Sequence, residues 1–329
     1  MKFSIIIPVF NRPDEVDELL QSLCNQEGDE FEIVIVEDGS VNKCDTIVEK
    51  FKSKLDIGYY FKENGGPAMA RNYGSEKAKY DYLIFFDSDC IIPQNYFRIV
   101  NQQLTDRFTD AYGGPDASHE SFTIIQKAIS YSMTSFFTTG GIRGGNEKME
   151  QFKPRSFNMG YSRKVYETTG GFSNMRFGED VDMSLKILDN GFKTQLIKDA
   201  FVYHKRRTDF RKFFKQVYNS GIARINLEKR HPGSLKLVHA MPAAFLVGTL
   251  FLVVISFIKW VFLLPILLYI LLIFTDALIN TKSLSVSLAA IFSSFTQLYG
   301  YGSGFILSFW KRNILKRDEF HAFGKNFYK

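Results

Sequence analysis

Cysteine is scarce in this chain, and its placement builds no framework. Cys24, Cys44 and Cys90 are the three cysteines in 329 residues, and no two form a C-x-x-C pair. The spacing argues against a disulfide-stapled scaffold and against a zinc site. It points to free thiols in a reducing compartment. The turn after the first strand-like stretch lacks G-x-G-x-x-G, which counts against a dinucleotide-binding fold. No segment repeats at solenoid spacing. Lys2 is followed at once by Phe3-Ser4-Ile5-Ile6-Ile7, without the leader pattern of a signal peptide, so the N-terminal region is expected in the cytosol.

Phenylalanine, by contrast, is abundant, at 33 residues, and the formal net charge is +6. A basic balance alone is compatible with nucleic acid, acidic lipid or phosphorylated ligands. Up to about residue 235, charged and apolar residues mix as in a soluble domain; beyond it the chain is largely apolar. The positive residues gather near the apolar half, so nucleic acid is not expected as a partner.

The stretch Leu83-Ile84-Phe85-Phe86-Asp87-Ser88-Asp89-Cys90 organises the rest. An apolar run of strand type ends in two carboxylates one residue apart. In an open α/β sheet, ligands bind beyond the carboxyl ends of the strands. Side chains at i and i+2 on extended backbone face the same way, so Asp87 and Asp89 can serve one ligand. Two anions that close call for a cation between them, and carboxylate oxygens suit Mg²⁺ or Mn²⁺ shared with a substrate's phosphates. An Asp-Ser-Asp loop that merely caps the next helix has the same spelling, so the surrounding motifs must decide.

Phe3 to Val9 reads as a buried strand, Asp14 opens a helix with Val16, Leu19, Leu20 and Leu23 on one face, and Phe31 to Val36 is a second strand. The alternation predicts a mostly parallel sheet. Asp38, just past the second strand, is placed either to accept from a base N–H or to cap the helix at Asp45. Asn64-Gly65-Gly66-Pro67 leads into a helix that carries Arg71 one turn inside, an arrangement suited to a diphosphate or to an ordinary turn.

Taken together, Ile5-Ile6-Ile7-Pro8-Val9-Phe10-Asn11, Val36-Glu37-Asp38-Gly39-Ser40, Gly65-Gly66-Pro67-Ala68-Met69-Ala70-Arg71-Asn72 and Phe86-Asp87-Ser88-Asp89 follow one another at a telling spacing. Phe157-Asn158-Met159-Gly160-Tyr161-Ser162-Arg163, Gly170-Gly171-Phe172 and Gly178-Glu179-Asp180-Val181-Asp182 come later. In this order the motifs resemble family 2 glycosyltransferases with the GT-A fold, over about residues 1 to 230. The resemblance implies an α/β catalytic domain, Rossmann-like with a mostly parallel sheet, followed here by an α-helical membrane region. It implies that Pro8 and Asn11 line the nucleotide pocket, Asp38 reads the base, and Arg71 contacts the nucleotide. Asp87, Ser88 and Asp89 form the D-x-D turn, with Asp87 and Asp89 as metal ligands. His204 matches a position that helps bind Mg²⁺ or Mn²⁺. Asp180 is the implied general base, next to Glu179. A single base opposite the leaving group gives inversion, so a β-type link is expected from an α-linked nucleotide-diphosphate sugar. UDP is favoured over GDP.

The chain is expected to divide into a catalytic domain over 1–208, an interfacial helix and linker over 209–235, and membrane-associated helices with a basic tail over 236–329. Phe210, Phe213, Phe214, Val217, Tyr218, Ile222 and Ile225 recur at helical spacing, with Arg211, Lys212, Lys215 and Arg224 largely off that stripe. Ala240 to Ile258 is an uncharged run of 19 residues, long enough to span at about 1.5 Å per residue. Trp260 to Thr275 is a second run, and Leu284 to Trp310 a third, diluted by Ser, Thr, Gln297, Tyr and Gly. Gly300, Gly302 and Gly304 would permit close helix contact or a break. Lys311, Arg312, Lys316, Arg317, Lys325 and Lys329 place the tail with the catalytic domain on the cytoplasmic side. The expectation is therefore a multi-pass protein of the inner (plasma) membrane, with two crossings and a third segment that lies in the interface or re-enters. The Q-x-x-R-W motif typical of processive members is missing from the nearest helix, Lys215-Gln216-Val217-Tyr218. A single-addition transferase with a membrane-held, lipid-linked acceptor is favoured over a processive polysaccharide synthase. A membrane-tethered sugar-nucleotide binding protein without turnover would have no use for the base. The glycine-rich stretch Thr139-Gly140-Gly141-Ile142-Arg143-Gly144-Gly145 is expected to shape the acceptor side.

Overall fold

In the computed structural model, residues 1–27, 30–140 and 152–323 are described. Gly141 to Gly145 of the glycine-rich stretch, and Lys325 and Lys329 of the tail, lie outside them. The chain forms two compact units, Met1–His119 with Glu147–Lys205, and Glu120–Asn146 with Arg206–Lys329.

The first unit opens with β1 (Phe3–Val9), α1 (Pro13–Cys24), β2 (Phe31–Asp38), α2 (Asp45–Phe51), β3 (Ile57–Lys62), α3 (Pro67–Lys77) and β4 (Tyr82–Phe86). It continues through β5 (Cys90–Ile91), α4 (Tyr96–Asp106), β6 (Ala111–Gly113) and β7 (Asp116–Ala117). The chain then supplies α5 (Ile124–Thr134) and α6 (Phe136–Thr139) to the second unit. It returns with β8 (Asn158–Ser162), α7 (Arg163–Thr169), α8 (Glu179–Asp189), β9 (Thr194–Leu196) and β10 (Val202–His204). The main sheet has the order β3-β2-β1-β4-β8-β6-β9. Its pairings are parallel except those of β8 with β4 and β6. The mixed α/β class with a mostly parallel sheet therefore stands.

The central strands are buried on both faces, which is why they read as unbroken apolar runs. Leu19, Leu20 and Phe97 pack on one face of the sheet; Ala70, Tyr161, Val165 and Met183 pack on the other. The strand that delivers Asp87 is the fourth, because β3 also pairs with β2. Its sequence, Ile57-Gly58-Tyr59-Tyr60-Phe61-Lys62, is half-exposed edge strand without the apolar run that marks its neighbours. A small sheet, β5-β10-β7, starts with β5 shortly after β4 in the chain and carries His204 on β10.

The second unit adds α9 (Phe210–Arg230), α10 (Met241–Ser256), α11 (Leu264–Thr281) and α12 (Leu284–Phe309). Residues 120–140 join these helices although they fall within the span expected for the catalytic domain. Tyr131 on α5 donates to Asp276 on α11, and Ser132 shares a 2.7 Å bond with Ser293 on α12. The α12 glycines serve contact rather than a break. A Cβ on Gly304 would sit 2.0 Å from the Tyr218 carbonyl oxygen, and one on Gly221 2.2 Å from that of Tyr301. Arg224 does not share the solvent face with Arg211 and Lys212. It is buried and donates to the Ser234 carbonyl. Among the described residues, one helix, Trp260–Thr281, is long and apolar enough to cross a membrane; Met241–Ser256 is apolar but shorter.

Candidate active site

Asp38 ends β2, Asp87 follows β4, and Glu179 and Asp180 open α8, so the topology brings four acidic positions from distant sequence into one unit. Each is held by a cation. Asp38 is 3% exposed. Its Oδ1 accepts from Lys62 Nζ at 2.7 Å and Gly65 N at 2.9 Å, and its Oδ2 from Gly66 N at 2.7 Å. Gly66 has φ +88°, a conformation that favours glycine and turns both N–H groups toward the carboxylate. Asp38 therefore does not cap α2; it anchors the loop before α3.

Asn11 also has positive φ, +53°. Its amide oxygen accepts from Val41 N and Asn42 N at 2.8 and 2.9 Å, which fastens the β1–α1 turn to the β2–α2 loop. Pro8 lies past the last β1–β4 pairing, Ile6 with Phe85, so its missing N–H removes no bond there. Ser88, in the turn between the two aspartates, is buried.

Arg71 is only 3% exposed and does not point freely from the start of α3. It bonds Asp87 at 2.6 Å and Glu179 at 3.2 Å, with its guanidinium over the Phe172 ring at 5.3 Å. Burial works against the Arg71 charge, and the charges of Asp87 and Glu179 outweigh it, holding its pKa above the ordinary value. Next to it, the Asn72 amide clamps the Phe172 backbone from both sides, at 2.8 Å each. These contacts explain why Arg71-Asn72 and Gly170-Gly171-Phe172 belong to one pattern. Glu179 is pushed up to about 7, first by burial, then by the charge of Asp180, with Arg71 opposing. Asp180 Oδ2 lies 2.7 Å from Arg155 Nε, and its Oδ1 accepts from Val181 N. Glu179, Asp180 and Asp182 all sit in the first turn of α8, where the helix dipole favours negative charge.

Around Asp89 stand Arg12 and His204. Arg12 Nη1 is 2.5 Å from Asp89 Oδ2, and His204 Nε2 is 3.1 Å from Asp89 Oδ1 and 3.9 Å from Asp87 Oδ2. Phe157 stacks on the imidazole at 4.9 Å. Among the described residues, Asp89, Cys90 and His204 bring their ligand atoms within 4.8 Å of one another. Ligands sharing one octahedral ion at ~2.1 Å stand about 3 Å apart; Asp89 and His204 have that spacing, and Asp87 Oδ2 stands farther from the imidazole, at 3.9 Å. The Cys90 thiol is buried and donates to the Phe157 carbonyl; hard cations have little use for it. All three cysteines are free.

Lys62, Arg12 and Arg155 went unread in the sequence. Lys62 is signalled only by β3, whose register sets it opposite Asp38. Arg12 and Asp89 are 77 positions apart, and no local pattern links them.

The family model "Glycosyl transferase family 2" matches residues 4–170, about half the chain. Poly(ribitol-phosphate) β-N-acetylglucosaminyltransferase TarS of Staphylococcus aureus strain Mu50 is 40% identical over 93 residues, 27% of this chain and 16% of TarS. Chondroitin synthase of Pasteurella multocida strain Pm70 is 27% identical over 237 residues, 61% of this chain and 24% of that protein. The chain thus spans less than a quarter of the length of either curated relative. Among solved structures, the mannosyltransferase PcManGT of Pyrobaculum calidifontis, in complex with GDP-Man and Mn²⁺, superposes with a TM-score of 0.66. It is 15% identical, over 94% of this chain and 87% of that one. TarS 1–349 in complex with UDP-GlcNAc superposes at 0.51 and 18% identity, over 95% of this chain and 92% of that one. These two show a shared GT-A-like fold, and on the family match the chain belongs to glycosyl transferase family 2.

Proposed function

We propose that this chain is an inverting glycosyltransferase that moves a sugar from a UDP-sugar to a membrane-held, lipid-linked acceptor in cell-envelope glycan synthesis. The observation that carries the reading is the convergence, in one unit, of Asp38, the Asp87–Asp89–His204 group and the Glu179–Asp180 pair. Neighbours that bind UDP-GlcNAc or GDP-Man and Mn²⁺ support it by fold.

Asp38 favours uracil by acceptor count. A carboxylate offers about four acceptor positions, and three are taken by Lys62, Gly65 and Gly66. The remaining one suits the single imide N–H of uracil, with the Lys62 ammonium beside it for a ring carbonyl. Guanine presents two adjacent donors and would leave one unmet. Asp87, Asp89 and His204 would hold Mg²⁺ or Mn²⁺, which supplies positive charge to a departing diphosphate. Asp180 takes the proton of the attacking hydroxyl. Its partner Arg155 is 35% exposed at the side chain and can give way to an acceptor, whereas Glu179 is tied to buried Arg71. A single base facing the leaving group gives inversion.

The apolar Trp260–Thr281 helix and the basic residues Lys311, Arg312, Lys316 and Arg317 favour an inner-membrane protein whose catalytic unit and tail share the cytoplasmic side. The α9–α12 contact at Gly221 and Gly304 favours α12 as an interfacial rather than a spanning helix, since its last third lies along the polar-faced α9. The test is nucleotide release and transfer by the detergent-solubilised chain with UDP- and GDP-sugars, Mg²⁺ or Mn²⁺ and lipid-linked acceptors. Metal-dependent UDP release with a product of inverted anomeric configuration is expected. Retained configuration, or donor binding without release when acceptors are supplied, would refute the reading.

A further inference from the structure

Two arginines hold the D-x-D carboxylates, and they differ in what leaving would cost. Arg71 is buried between Asp87 and Glu179, so its departure would leave Glu179, 13% exposed, without its cation and Asp87, 31% exposed, only partly hydrated. The Arg12 side chain is 32% exposed. It stands on the turn before α1, beside the strained Asn11, and binds one oxygen of Asp89 while the other faces His204. Arg12 can swing into solvent and keep its charge hydrated. The Asp89 side chain, 9% exposed, cannot do without a cation nearby.

A dication shared by Asp87, Asp89 and His204 would bring its charge close to the Arg12 guanidinium. Like charges at that separation repel strongly in a partly desolvated site. We propose that Arg12 is a displaceable counter-ion: it neutralises Asp89 in the metal-free protein and must release it when a divalent ion binds. This rests on the metal-dependent reading above. The metal affinity of the chain is then set partly by competition with its own arginine. Removing Arg12 should tighten metal binding, whereas loss of a group that merely orients a metal ligand weakens it.

The test is a titration of the detergent-solubilised 329-residue chain with MnCl2 alone, read from the EPR signal of free aqueous Mn²⁺, with no sugar nucleotide present. Arg12→Met is expected to bind Mn²⁺ roughly tenfold more tightly than wild type, and Arg12→Gln to do likewise. Arg12→Lys should stay within about twofold of wild type, and the gap should narrow as salt rises, because the guanidinium is partly exposed. Equal or weaker Mn²⁺ binding by both Arg12→Met and Arg12→Gln would overturn the proposal. If wild type and variants all fail to take up Mn²⁺, the metal-dependent reading itself falls, and the inference with it.

Discussion

The two units solve the same problem, how to bury polar atoms, by opposite means. The sheet-bearing unit buries charge and pairs it: Asp38 with Lys62, Asp87 and Glu179 with Arg71, Asp89 with Arg12, Asp180 with Arg155. The helical unit mostly buries hydroxyls and glycines. Ser132 meets Ser293, Tyr299 donates to Thr249 at 2.9 Å, and α9 meets α12 across Gly221 and Gly304. Hydroxyl and small-residue contacts suit helices whose backbones approach closely. Ion pairs suit a site whose partners change as ligands arrive. The difference predicts where substitutions will stop chemistry, where they will unfold, and where they will do neither.

The largest effect expected is chemical. Asp180→Asn keeps the size and the bond from Val181 N but cannot take a proton. Turnover should fall by roughly 10²–10⁴, while UDP binding, measured by calorimetry, stays within about twofold. Equal loss of binding and turnover would make Asp180 a structural partner of Arg155 instead. Next comes the contrast between the two arginines. Arg71→Met leaves Asp87 and Glu179 without their shared cation and should cost about 3–5 kcal/mol in denaturant unfolding. Arg12→Met, which leaves one carboxylate beside His204 without its cation rather than two, should cost less, about 1–3 kcal/mol. Similar losses would erase the distinction between fixed and displaceable partners. In the helical unit, Gly304→Leu drives a side chain against the Tyr218 backbone and should cost about 1–3 kcal/mol. Gly248→Leu, with nothing within 4 Å of its Cβ position, should cost almost nothing. UDP binding should survive both.

The first unit was legible because its strands are two-sided apolar runs and its motifs sit where those runs end. Asp38, Asp87 and Asp89 follow from that rule; Glu179 and Asp180, which open α8, were reached only through the family resemblance. The cations opposite them were not legible, since an ion pair between residues 77 or 108 positions apart leaves no local periodicity. Arg71 was visible as a residue but not as a buried strut, because burial depends on Phe172 and α8 folding over it. In the second unit hydropathy marked α10, α11 and α12 closely. It gave no hint that α5, mixed in composition and flanked by sheet strands in sequence, belongs with them. That membership is fixed by Tyr131, Ser132 and Ser135, each spelled like a surface residue.

The smallest effect sharpens the comparison through pH, because only the charge-pairing unit should show it. Glu179 ordinarily titrates near 4.5 and is pushed up to about 7 in the folded chain by burial and the neighbouring Asp180 charge. Between those values the folded protein holds a proton that the unfolded chain has released. The unfolded state binds fewer protons there, so stability falls as pH rises. The contribution is whole below about 4.5 and is lost as pH passes 7. Its size is of order 1–3 kcal/mol. Thermal unfolding of wild type across about pH 5 to 8 should therefore show a declining midpoint. Glu179→Gln, which cannot ionise, should flatten that decline and gain on wild type toward the alkaline end. A slope that persists unchanged in Glu179→Gln would assign the titration to another group.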